Sequence, residues 1–147
     1  MRFLPTLFYG LASLALLPAG AAQSAPPASL AHALSASRWQ QRVLLIGAPT
    51  ASQAEFQQQK KLLAAEAAGL AERDFKVIEV PYDQLSVADR QHWTQQLRQP
   101  LDKFVVVLIG KDGGIKRTET QPTAPASLFS TVDKMPMRRD EMRSKKQ

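Results

Sequence analysis

Cysteine is absent from the 147 residues, and only two histidines occur. Without a thiol there is no nucleophilic sulfur, no CxxC redox pair and no thiolate metal site. His32 and His92 lack the companion ligands and spacing of a metal centre, and neither lies in a motif that would set it beside a hydroxyl as a base. Aromatic residues make up 7% of the chain, too few among the basic side chains for a nucleic-acid stacking platform. An apolar run long enough to span a bilayer, about 20 residues, is also missing. Phe3 to Leu17 falls short of it and is interrupted by Pro5, Gly10 and Ser13. No cofactor motif is present.

The N-terminal stretch reads differently. Arg2 is followed by the apolar Phe3 to Leu17 and then by Pro18-Ala19-Gly20-Ala21-Ala22-Gln23, with small residues where a signal peptidase needs them. This pattern predicts a secretory signal peptide over residues 1–21, cut after Ala21 or Ala22, and a secreted or periplasmic mature chain with no transmembrane span. Export permits disulfides, so a cysteine-free domain must be held by its own core. A flexible leader over 22–33 is expected from Pro26-Pro27 and its small neighbours, then one domain over 34–143 and a frayed basic tail over 144–147. Within the leader's end, Ser29 to Trp39 has the spacing of a short helix, with Trp39 expected over an edge of the core.

The centre of the chain is Phe104-Val105-Val106-Val107-Leu108-Ile109, too short for a globular helix and mostly β-branched. Asp112-Gly113-Gly114 then permits a tight turn, and Ile115 to Glu119 returns as a more polar strand. Arg42 to Gly47 is a second strand without polar alternation, so it too is expected to be buried on both faces. A helix follows, with Thr50 and Gln53 or Ser52 and Glu55 as a capping box. Phe56, Lys60, Leu63, Ala67 and Leu70 form its inner stripe, Gln57-Gln58-Gln59 its outer face, and Gly69 its stop. Phe75 to Val80 is the next strand, parallel to the first through a right-handed crossover. Ser86 to Gln99 is expected to be helical, anchored by Leu85, Val87, Trp93 and Leu97. A last helix opens at Pro125 and ends at Pro136, with one or two turns beyond it carrying Met135 and Met142 on one side.

This order of strand, helix, parallel strand, helix, hairpin and helix resembles the thioredoxin-like fold: α/β, a central mixed sheet flanked by helices, with a C-terminal β-hairpin and helix. Three blocks resemble a bacterial secreted family called domain-of-unknown-function family 4174. They are Trp39 to Leu45, Leu108 to Lys116, and Leu128-Phe129 running through Asp133 to Arg143; Gln59 and Arg73-Asp74 also match family positions. The resemblance extends to domains of sushi-repeat-containing extracellular matrix proteins and implies a binding module. It carries over no catalytic residue. Gly47 to Ser52 occupies the place where redox relatives carry their cysteines.

The formal net charge is +6, falling by one on loss of Arg2, and the excess gathers near the C-terminus. Arg73, Asp74, Lys111, Asp112, Arg138, Arg139, Asp140, Glu141 and Arg143 are the candidate binding surface, because both ends of an α/β chain can meet near the strand termini. Structural clamping by salt bridges, recognition of an anionic partner and acid–base chemistry all fit such a set, in that order. The leading functional reading is a non-catalytic binding or structural module of the cell envelope, its partner an envelope protein, an anionic glycan or a lipid headgroup. The competing one is a hydrolase or cofactor-dependent oxidoreductase working through clustered carboxylates. Intact-mass measurement of the protein released by osmotic shock is expected to show loss of the first 21 or 22 residues; a full-length mass in the cytoplasmic fraction would overturn the export assignment.

Overall fold

Two strands with no polar face decide the layout. In the computed structural model, which describes residues 29–147, β1 (Arg42–Ala48) is buried at every position and so is β3 (Val105–Ile109). Strands of this kind need neighbours on both sides and cover on both faces. They receive the first from β2 (Phe75–Pro81) and β4 (Ile115–Glu119), in the order β2-β1-β3-β4. β1 runs parallel to β2 and antiparallel to β3, which pairs antiparallel with β4. The predicted strands, the crossover and the hairpin are all present. Gly113 takes the turn's positive φ of 84°. Lys116 is the extra residue where the β3–β4 register shifts, a bulge that strengthens the local twist.

Cover comes from helices on both sides. On one face Leu44, Ile46, Val106 and Leu108 meet Phe56 and Leu63 of α2 (Ala54–Ala64), Leu70 of α3 (Ala67–Glu72), and Leu128 and Val132 of α5 (Pro125–Asp133). On the other, Val43, Leu45, Val105 and Val107 meet Leu30 of α1 (Leu30–Ser37) and the pair Tyr82–Trp93. Trp93 sits in a π-helical turn, His92–Gln96, that continues α4 (Val87–Gln91). Its indole N–H donates to the Pro100 carbonyl at 2.7 Å, so full burial leaves no polar atom unpaired. α6 (Pro136–Ser144) closes the chain with proline in its first turn, as α5 also begins. Among the described residues no helix is long and apolar enough to cross a membrane.

Several local expectations are corrected. The signal peptide and residues 22–28 lie outside the described residues, but Leu30 is buried in α1, so residues 29–33 belong to the folded unit and are not a flexible leader. The tail is also shorter than expected, since Ser144 ends α6. Trp39 is 58% exposed, stands at φ 65° and covers nothing. Val87 is exposed and anchors nothing. No capping box forms: Gln53 caps α2 without a side-chain bond, while Thr50 and Ser52 hydroxyls bond each other at 3.1 Å. Gly69 does not stop a helix but lies within α3, where a Cβ would approach Phe129 Cε2 to 2.6 Å.

Gln59 is the largest surprise in the first half. It is fully buried rather than on an outer face. Its amide nitrogen donates to the Thr123 carbonyl at 3.0 Å, and its carbonyl accepts from the Thr123 N–H at 2.7 Å. Two backbone groups in the β4–α5 connection are thereby satisfied away from water. Lys60, by contrast, extends along the edge of β2 to Glu79 as expected.

Val106 lies 1% exposed in β3, between β1 and β4. Val106→Asp is expected to abolish cooperative thermal unfolding followed by circular dichroism, because the core offers that carboxylate no partner. A variant with wild-type stability would show that β3 is not the sheet's interior.

Candidate functional site

The first residue of β1 explains the charged end of the molecule. A charged side chain heading a strand buried on both faces must be paired, and Arg42 is 1% exposed. Its Nη1 donates to the Arg73 carbonyl at 2.9 Å and to Glu141 Oε2 at 3.2 Å, and its Nη2 donates to Glu141 Oε1 at 3.1 Å. This two-pronged arginine–carboxylate geometry is the strong form of the interaction. Lys111, at the start of the hairpin turn, adds its ammonium to the same Glu141 oxygen at 2.7 Å and to Asp74 at 2.8 Å.

Arg138 is the second buried hub. It too is 1% exposed, donating to Asp133 at 3.2 Å, to the Glu72 carboxylate at 2.7 Å and to the Glu72 carbonyl at 3.1 Å. Glu141 lies 3.6 Å from it, one turn along α6. Arg73 pairs with Asp133 through two bonds of 2.9 Å and lies over the Phe129 ring at 4.3 Å, a stacked position suited to a guanidinium. Asp74 adopts φ 52°, a conformation that aspartate tolerates better than most residues, and its carbonyl accepts the Arg42 N–H.

The network therefore joins Arg42, Arg73, Lys111 and Arg138 to Glu72, Asp74, Asp133 and Glu141, as many cations as anions. Its electrostatics follow from the geometry. Burial would favour the neutral acid of Glu141, but hydrogen bonds and charge from Arg42 and Lys111 outweigh it and hold the carboxyl below its usual range. The hydrogen bond from Arg73, opposed by burial and reinforced by Arg138, does the same for Asp133. Burial would likewise push the Lys111 ammonium down, yet Asp74 and Glu141 raise it.

Of the residues expected to converge, Arg73, Asp74, Lys111, Arg138 and Glu141 do. Arg138 is not available to a partner, because it is consumed inside the network. Asp112 turns away to pair with Lys116 at 2.7 Å and to accept the Gly114 N–H, which together lower its pKa. Arg139, Asp140 and Arg143 face solvent, the last two paired with each other. Sequence reasoning left Arg42, Glu72 and Asp133 outside the site. The signal for Arg42 was present, a lone cation opening an otherwise apolar strand; Glu72 and Asp133 carry no such mark.

At the opposite end of β1, the loop that follows the strand carries the Thr50 and Ser52 hydroxyls, bonded to each other. A Cβ at Gly47 would meet Tyr82 Oη at 2.5 Å, so the backbone here is packed directly against the Tyr82–Trp93 pair. Among the described residues no three His, Asp or Glu side chains are arranged to hold a metal ion.

Removing Glu141 would strand the buried Arg42 charge. Glu141→Ala is expected to lose about 3–5 kcal/mol in urea unfolding at pH 7. The lowered pKa values make the carboxylate contribution complete above the ordinary value of about 4, and it is lost as pH falls through the folded values. The raised Lys111 contributes fully below about 10.4 and is lost above its folded value. The Glu141→Ala penalty should therefore shrink at pH 3; an equal penalty at both pH values would show that the ion pairs do not hold this end together.

Comparison with known proteins agrees with this architecture. The crystal structure of Trxlp from Edwardsiella tarda EIB202 superimposes with a TM-score of 0.53 at 23% identity, covering 72% of this chain and 95% of that one, and the shared fold is thioredoxin-like. Coiled-coil domain-containing protein 80 of Danio rerio is 26% identical over 79% of this chain, which spans 16% of that protein's length. Residues 33–141, from within α1 to Glu141 itself, match the family described as a domain of unknown function, DUF4174, and the chain belongs to that family.

Proposed function

We propose that this chain is a non-catalytic binding or structural module of the cell envelope that meets an anionic partner through the outer face of α6. The observation that carries the reading is the division of charge in that helix. Arg138 and Glu141 point inward and are neutralised, while Arg139, Arg143 and Lys146 line a shallow depression of 410 Å³ with Met142. Acid–base catalysis needs a carboxyl tuned toward neutrality. The carboxyls of Asp112, Asp133 and Glu141 are instead pulled down and engaged by cations, which favours a clamp over a reaction centre. The envelope location rests on the N-terminal segment. Kinship with sushi-repeat matrix proteins, expected from sequence, finds no echo in the relatives named above, and the binding reading stands without it.

Arg139 and Lys146 are exposed and outside the network, so Arg139→Glu with Lys146→Glu is expected to leave the unfolding midpoint unchanged. The mature protein should be retained on immobilised heparin and on vesicles containing anionic lipid, with the double variant eluting at lower salt from whichever matrix matches the partner. Identical elution of the two proteins from both would remove α6 as the binding face.

A further inference from the structure

The two edges of the sheet are built differently. β4 is short, carries the bulge at Lys116 and bears Lys116, Arg117 and Glu119, devices that keep an edge from pairing. β2 is longer, pairs with β1 without a register shift and holds no proline before its last residue. The Arg42 N–H donates to the Asp74 carbonyl at 2.9 Å, and Arg42 stands opposite Phe75. In a parallel ladder those two facts set the phase: Lys76, Ile78 and Val80 turn their backbone N–H and C=O groups toward β1. Phe75, Val77 and Glu79 turn theirs outward, away from the sheet. Pro81 falls in the same outward phase, where its missing N–H breaks no ladder bond. Val77 is 38% exposed, and Glu79 is exposed as well.

These outward groups fit a second copy of the same strand. Antiparallel pairing about a two-fold axis at Val77 lets Val77 exchange both bonds with its counterpart, and Phe75 with Glu79. Every outward N–H and C=O is then used, and no like charges stand opposite one another. A register centred on Glu79 would set two carboxylates together and bring Val77 opposite Pro81, which has no N–H to give. One centred on Phe75 would run past the start of the strand. Charge favours the antiparallel sense as well. The basic excess gathers at α6 and the residues after it, docked at the head of β1 through Arg42 and Glu141, and β2 runs parallel to β1. Antiparallel β2 strands therefore place the two α6 helices at opposite ends of the joined sheet. The bulged, charged β4 edges close that sheet, so assembly stops at the dimer.

We infer that the chain pairs with a second copy of itself through the free edge of β2, forming a two-fold dimer with one continuous sheet. A contact confined to one strand edge is of the weak, reversible kind, so the mature chain is expected to sediment as a monomer–dimer mixture at about 0.1–1 mM. At about 1 mM the amides of Phe75, Val77 and Glu79 should be protected from hydrogen exchange. After about hundredfold dilution they should exchange about tenfold faster, while Ile78 and Val80 stay protected. Val77 faces its own counterpart, so Val77→Lys and Val77→Glu should each sediment as a monomer with cooperative unfolding retained. An equal mixture of the two variants should recover the dimer, because opposite charges then meet across the axis. The dilution measurement uses the wild-type chain and does not depend on the variants folding. A wild-type monomer throughout, whether the three amides exchange freely or are covered by another segment of the chain, would overturn the inference. So would a dimer that survives Val77→Lys, or a mixture of the two folded variants that stays monomeric.

Discussion

One end of the molecule depends on the pairing of a buried arginine with Glu141. Glu141 takes bonds from Arg42 at the head of β1 and from Lys111 at the hairpin, and lies beside Arg138 on its own helix. Buried cations are tolerated only when paired, and each of these arginines would be an uncompensated charge without its acids. The constraint explains why α6 exists. A nine-residue helix, rich in arginine, is too short to persist in water by propensity. It persists because it carries the counter-charge for the central strand.

The same constraint moved the site. In a thioredoxin-like sheet the loop after β1 is the natural place to look for chemistry, and here it offers two hydroxyls bonded to one another. The polar groups with unusual surroundings are at the other end of β1, where the network is built around the buried Arg42.

Strands β1 and β3 were legible because an unbroken run of β-branched and aliphatic residues has no solvent-facing alternative. The hairpin was legible from Asp112-Gly113-Gly114, and the fold class followed from the order of elements. Gln59 and Arg138 were misplaced for one shared reason: residue type alone assigns a polar side chain to the surface. Their burial depends on partners far away in sequence, Thr123 for one and Glu72 for the other. No local pattern contains that information. Trp39 failed in the opposite sense, since a large aromatic was assumed to be covered when its backbone, at positive φ, directs it outward. The candidate site was half legible: its members Arg73, Asp74, Lys111, Arg138 and Glu141 were named, but their arrangement as an internally neutral lattice was not.

The bond between Arg42 and Glu141 spans 99 positions, and this separation has a meaning for where the domain can be cut. The guanidinium at the head of β1 finds its two-pronged carboxylate only in α6, so a domain shortened before Glu141 keeps its whole sheet and yet buries a cation without that partner. The far boundary of the folding unit is thereby written into its first strand.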